Sequence, residues 1–148
     1  MHSHFNEYKK SKVENATDLE SVVLLYDEMI LHLTRAKEHF TNDKNDPAFK
    51  EDIEAARTII RGMTLILDFE NGADIAKNLC SLYNYMDKRL MVAKEGIIAT
   101  AKYCDEIIAL ISPLRDSWDK IAQEEKKKKE AQKTSQQPLS TGNLEITI

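Results

Sequence analysis

The sequence predicts an all-α protein, an antiparallel four-helix bundle, on three observations. Only four Gly and three Pro occur in 148 residues, too few turn formers for an all-β fold. Four successive segments each carry a single apolar stripe at helical spacing. The links between them are short and polar, which makes each helix antiparallel to the next. At this length, within the roughly 100–200 residues of one domain, such a chain buries a core without metals or disulfides.

Residues 1–15 are polar, with Phe5, Tyr8 and Val13 as isolated apolar points, and read as a flexible N-terminal arm. The bundle is expected over residues 16–124. Thr17 and Glu20 form a T-x-x-E capping box, in which each side chain satisfies an otherwise orphaned backbone amide, and Asp18 adds charge favourable to the helix dipole. Val22, Tyr26, Met29, Leu33, Ala36 and Phe40 follow as the first stripe. After the polar break 41–45, Asp46 caps a second helix with Pro47 in its first turn, and Phe49, Ile53, Ala56, Ile60, Met63 and Leu67 form its inner face.

An Asn-Gly turn over 68–72 leads to a third helix whose stripe is Ile75, Leu79, Leu82, Met86, Leu90 and Ala93, with Gly96 as its stop. The fourth, Thr100 to Lys128, carries Ile107, Leu110, Ile111, Leu114, Trp118 and Ile121. Pro113 removes one backbone donor there, so this helix either kinks or ends and restarts with Ser112 as cap. Residues 125–148 are a charge run passing into Gln, Ser, Pro, Thr and Gly, a tail that cannot bury enough apolar area to offset its ordering entropy. Disorder is expected from 131 onward.

Composition narrows the function. The chain has net charge −4; residues 124–148 hold five Lys against four Glu, leaving −5 on residues 1–123, so an acidic body argues against nucleic acid. No apolar run approaches the roughly 18 residues of a membrane span, and the Met-His-Ser-His start is unlike a secretory signal, so a cytoplasmic protein is expected. Cys80 and Cys104 lack CxxC spacing and read as two reduced, semi-buried thiols.

Catalytic and cofactor signatures are not found. A di-iron bundle needs two E-x-x-H pairs, and none occurs; nor does a G-x-S-x-G, a phosphate loop or an H-E-x-x-H. His32 lies off the centre of the first stripe and reads as a satisfied boundary histidine rather than a phosphotransfer group. His39 complements the dipole at its helix end. No enzyme, cofactor, metal or small-molecule substrate is expected.

What the sequence does hold is surplus apolar surface. Leu24 and Leu31 point away from the first stripe; Ile59 and Ile66 lie beside the second; Asn78, Tyr85 and Arg89 fall within about 40 degrees of one another on the flank of the third. Side chains so placed either widen the core and lie under the arm, or form a groove for an amphipathic partner helix. Alternatively, the second edges of the first two helices pair two copies in a generic adaptor or homodimerisation module.

The run Leu67-Asp68-Phe69-Glu70-Asn71-Gly72-Ala73-Asp74-Ile75-Ala76-Lys77-Asn78-Leu79, continued by Leu82-Tyr83-Asn84-Tyr85-Met86 and Arg89-Leu90, closely resembles the central signature of the FliS chaperones. Tyr8 with Val13 and Ala16-Thr17, Leu25-Tyr26-Asp27, and Leu114-Arg115 with Trp118 match in order, so the resemblance covers about residues 5–122. Asp18 stands where the family usually has Pro, and Glu28 where it has a small residue; Pro113 and the tail lie outside the pattern. The resemblance implies a four-helix bundle that binds the disordered C-terminal segment of flagellin, which folds as it wraps the chaperone and is kept from premature polymerisation before type III secretion. It further implies an N-terminal arm that gates part of the groove, and components of the flagellar export apparatus as further partners.

Overall fold

A computed structural model describes the backbone of residues 18–65 and 72–147, and the side chains there except at 18, 73 and 134–147. Four helices and no strand occur among the described residues: α1 Asp18–Asn42, α2 Ala48–Leu65, α3 Ala73–Ala93 and α4 Thr100–Thr147. Two compact units are formed, Leu24–Arg115 and a second made of Met1–Val23 with Asp116–Ile148.

Within Leu24–Arg115 the helices make a closed antiparallel ring in chain order, and ion pairs mark each neighbouring seam. The His32 ring nitrogen Nδ1 meets Asp52 Oδ1 at 2.9 Å between α1 and α2. Arg57 Nε donates to Asp87 Oδ1 at 2.9 Å between α2 and α3, and Arg89 Nε to Glu106 Oε1 at 2.9 Å between α3 and α4. The α4/α1 seam carries two pairs, Lys37 with Asp105 at 2.9 Å and Arg115 with Asp27 at 2.7 Å. Moving down α1 from Lys37 to Asp27 moves up α4 from Asp105 to Arg115, which is the register of an antiparallel pair. Partly exposed pairs of this kind contribute about 0–1 kcal/mol each, so they set register more than they stabilise.

The core is the apolar stripes turned inward. Tyr26, Met29, Leu33, Ala36 and Phe40 of α1 are buried, as are Phe49, Ile53, Ala56, Ile60 and Met63 of α2. On α3 and α4 the buried set is Ala76, Tyr83, Met86, Leu90 and Ala93, then Cys104, Ile107 and Ile111. Burial pushes the Cys104 thiol up to about 11, while Cys80 is half-buried. Three expected stripe positions are displaced by one residue: Val23, Ala76 and Ala122 are buried where Val22, Ile75 and Ile121 were expected. Ile75 is in fact 68% exposed, because it lies in the first turn of α3, on the flank rather than over the core. Leu67 and residues 68–71 of the Asn-Gly turn lie outside the described residues, as does Thr17, while Gly72 stands at the N-cap of α3.

Tyr83 was not expected inside. Its hydroxyl meets that of Tyr26 across the diagonal of the ring, so each phenol carries its polar end into the core without leaving Tyr83 unpaired. Burial first, and then the bond to Tyr26, raises the Tyr83 hydroxyl well above its ordinary pKa. Tyr26→Phe should cost about 1–3 kcal/mol, because it strips a buried donor-acceptor of its partner, and adding Tyr83→Phe should return part of that loss. Urea melts of the two single variants and the double one decide it: a double variant less stable than Tyr26→Phe alone rules the pairing out as the reason for the tyrosines.

The helix ends follow sequence chemistry. Asp46 Oδ1 accepts from the Ala48 amide at 2.9 Å, the expected cap of α2. At the other junction Gly96 has φ +72°, and Thr100 Oγ1 donates to the Ala93 carbonyl at 2.9 Å, satisfying an end group of α3 from the first residue of α4. Of the two outcomes expected at Pro113, a kink or an end and restart, the restart is not seen. Helix α4 runs through it, and Ser112 Oγ donates backward to the Ile108 carbonyl at 2.7 Å instead of capping a new helix. A single lost backbone donor is tolerated where the flanking turns are packed. The helix also continues past Lys128 to Thr147, through the segment in which disorder was expected. Lys129, Glu130, Ala131, Gln132 and Lys133, which lead into that segment, have good helix propensity even though they lack a core-facing stripe.

Candidate partner-binding surface

The side chains expected to face a partner lie outside the core, but they do not form one patch. Leu31, on the outer face of α1, is 39% exposed, and Leu24, one heptad earlier, is half-buried. Ile59 is half-buried on the Asp52 side of α2; Ile66 lies outside the described residues, as do Phe5, Tyr8 and Val13. Asn78, Tyr85 and Arg89 share the flank of α3 that faces α4, with Asn78 exposed, Tyr85 43% exposed and Arg89 half-buried.

Two of these are tied together by residues that sequence reasoning missed. Tyr85 Oη donates to Glu106 Oε1 at 2.8 Å, and Arg89 reaches the same carboxylate through Nε at 2.9 Å and Nη2 at 3.5 Å. The Arg89 guanidinium lies 4.3 Å from the centroid of Tyr103 and 5.6 Å from that of Tyr85, so it is stacked between two phenols. The hydrogen bond from Arg89, followed by that from Tyr85, holds the Glu106 carboxyl below its ordinary value. Asn78 stands apart from this cluster, two turns toward the start of α3. Tyr103 and Glu106 were findable, being three apart on α4 and next to its stripe, yet only the α3/α4 register assigns them to Arg89.

The polar cluster is built to hold shape rather than to react. Its one carboxylate is neutralised by its one guanidinium, and no group of three His, Cys, Asp or Glu able to hold a metal occurs among the described residues. His32, the other candidate for chemistry, bonds Asp52 and lies 3.6 Å from Glu28 Oε2, and His39 Nε2 lies 3.7 Å from Asp52 Oδ2. That is a boundary histidine with carboxylate neighbours. No described helix is long and apolar enough to cross a membrane.

A family model described as "Flagellar protein FliS" matches residues 1–125 of the chain. The chain belongs to the FliS family. Among curated FliS relatives, the flagellar secretion chaperone FliS of Escherichia coli (strain K12) is 31% identical over 110 residues, 74% of this chain and 79% of the relative. That of Salmonella typhimurium is 32% identical over 114 residues, 76% and 82% of the two chains. The Bacillus subtilis FliS chaperone is 24% identical over 127 residues, 83% and 89% of the two. FliS is a chaperone family and not an enzyme class, in keeping with a surface of stacked and apolar side chains.

Truncations on this surface should separate binding from folding. Tyr85→Ala and Arg89→Ala remove exposed or half-exposed contacts, so the melting temperature should move by only a few degrees, as for a change of about 1 kcal/mol or less. Affinity for a bound helix should fall roughly tenfold or more for Tyr85→Ala if the phenol is an anchor. A cooperative loss of fold in Tyr85→Ala would show it to be a core residue.

Proposed function

We propose that this chain is a cytoplasmic flagellar export chaperone that binds the C-terminal segment of flagellin and keeps it from polymerising before type III secretion. The observation that carries the reading is apolar and aromatic surface left outside a completed core: Tyr85, Leu31 and Val92, the last 45% exposed, lie on helices whose inner faces are already filled. In a chain of the FliS family, such edges are suited to a client that is disordered alone and folds on contact, since a wrapping segment covers area that a rigid partner cannot. Ordering the client costs about 2–5 kcal/mol or more of the gross interaction, which keeps a large interface releasable.

Residues 1–15 act in this reading as a tethered gate. Phe5, Tyr8 and Val13 would occupy part of the client surface at high effective concentration and lower the apparent affinity by the fraction of chain left closed. Circular dichroism tests both statements. Mixing the chain with the last ~40 residues of flagellin, about the length a wrapping segment needs, should give more helix than the sum of the parts; an additive spectrum overturns the proposal. Deleting residues 1–12 should tighten the complex. If it weakens the complex with the fold intact, the arm is part of the client site and not its gate.

A further inference from the structure

Helix α4 changes character soon after it passes Ala122. That residue is 4% exposed and is the last buried position of the helix among the described residues. Lys126, Lys129 and Lys133 follow at i+4, i+7 and i+11 and fall within about 60 degrees of it and of one another, so a face that is packed at Ala122 is cationic one turn later. Lys127 and Lys128 stand on the remaining sides, and all of these lysines are exposed. Between 126 and 133 the one carboxylate is Glu130; Glu125, a turn earlier, lies 3.5 Å from the Lys129 ammonium. The match to the family model stops at residue 125, so the basic run begins just outside the part of the chain that the model describes.

The kind of cation matters. The run contains Lys only, with no Arg and no aromatic side chain. An ammonium is a point charge without the planar fork by which Arg grips a fixed phosphate or carboxylate, and no ring is present on which a nucleic-acid base could stack. Charges of this kind suit a layer of anions that can rearrange around them, as lipid headgroups do. The sequence that follows holds no further Lys or Arg. Instead Leu139, Leu144, Ile146 and Ile148 place aliphatic side chains among residues 139–148. A polybasic stretch followed by an aliphatic one supplies two signals that are each marginal alone and together hold a chain at a membrane surface.

We infer that residues 126–148 are a peripheral anchor for an anionic lipid surface. Lys126, Lys127, Lys128, Lys129 and Lys133 meet the headgroups, and the aliphatic residues from Leu139 onward are the second contact. The anchor is reversible and salt-sensitive, because exposed charges are screened beyond about 8–10 Å at ordinary ionic strength. It makes no use of the client surface and acts on the chain whether a client is bound or not.

Co-sedimentation of the full chain with lipid vesicles tests the anchor. Vesicles of phosphatidylcholine with about one third phosphatidylglycerol should carry the chain down at low salt, and pure phosphatidylcholine should carry about tenfold less. Salt at about 0.5 M should remove most of that difference. Lys126→Gln, Lys127→Gln, Lys128→Gln and Lys129→Gln together should weaken binding to the charged vesicles about tenfold or more, whereas Lys126→Arg, Lys127→Arg, Lys128→Arg and Lys129→Arg together should keep it within about threefold. Deleting residues 134–148 should weaken binding by a further factor of about three or more and leave its salt dependence in place. The Gln variant should keep the parent's helix content and its response to the flagellin segment, which separates the anchor from the client-binding function. No sedimentation with the charged vesicles, equal sedimentation with the neutral ones, or a Gln variant that binds like the parent overturns the anchor. Tighter binding to polyglutamate or to an RNA oligonucleotide than to the charged vesicles makes the partner a protein or a nucleic acid and overturns it likewise.

Discussion

Leu90→Ala should lower the unfolding free energy by about 2–5 kcal/mol, the range for deleting a fully buried leucine and leaving a cavity. Leu90 is completely buried on α3, beside Met86 and Ala93, in a ring closed on all four sides. Leu31→Ala removes the same side chain from the outer face of α1 and should cost under about 1 kcal/mol. Urea melts give both, read as midpoints at unchanged slope. Equal losses in the two variants would mean that the inside and outside of the bundle have been assigned wrongly.

Substituting Gly96 should be nearly as damaging, for two separable reasons. Its φ of +72° is a left-handed conformation that costs an L-residue about 1–2 kcal/mol. A Cβ there would also stand 3.1 Å from Phe49 Cζ and 3.7 Å from Phe40 Cε1. Those rings pack edge to face, with centroids 5.0 Å apart, and close the end of the bundle, so neither can swing aside cheaply. Gly96→Ala is therefore expected to lose about 2–4 kcal/mol in all, adding about 1–2 kcal/mol of overpacking to the backbone cost. Gly96→Asn keeps the contact but tolerates the backbone better. Asn less harmful than Ala assigns the loss to φ; equal losses assign it to Phe49; a variant as stable as the parent contradicts both causes.

The fold was legible because its signals are local. Helix existence, the Asp46 cap, the Gly96 stop and most inward positions follow from spacing and end chemistry within a few residues. Two of the errors, at Ile75 and Tyr83, share a physical source. Counting apolar residues prefers Ile and Leu to their smaller or half-polar neighbours, so Ile75 was favoured over Ala76, and Tyr83 was overlooked although a second buried hydroxyl makes it welcome inside. At Pro113 the sequence left a kink and a split open, and helix α4 excludes the split, because packing on both sides of the proline offsets one lost backbone donor.

The candidate surface was only half legible. Tyr85 and Arg89 could be placed on one flank from the helical repeat, but Glu106, which holds them, is separated from them by a turn whose geometry sets the α3/α4 register. Leu24, Leu31 and Ile59 were found as surplus, yet a single helix cannot reveal that they belong to different seams from Asn78. Surface apolarity is readable from a sequence one helix at a time; adjacency is not.

The ring in chain order also governs how quickly the chain becomes native. Three of its four seams join consecutive helices, and only the α4/α1 seam, with Asp27 and Arg115, must find a partner far along the sequence. Contacts so local place the chain among the fast-folding helical bundles, with refolding in microseconds to milliseconds, apart from a minor slow phase from its three prolines. Stopped-flow refolding dominated by a phase of seconds would contradict this. A chaperone of the FliS family that folds this fast reaches its working shape in less time than a ribosome takes to add one more residue.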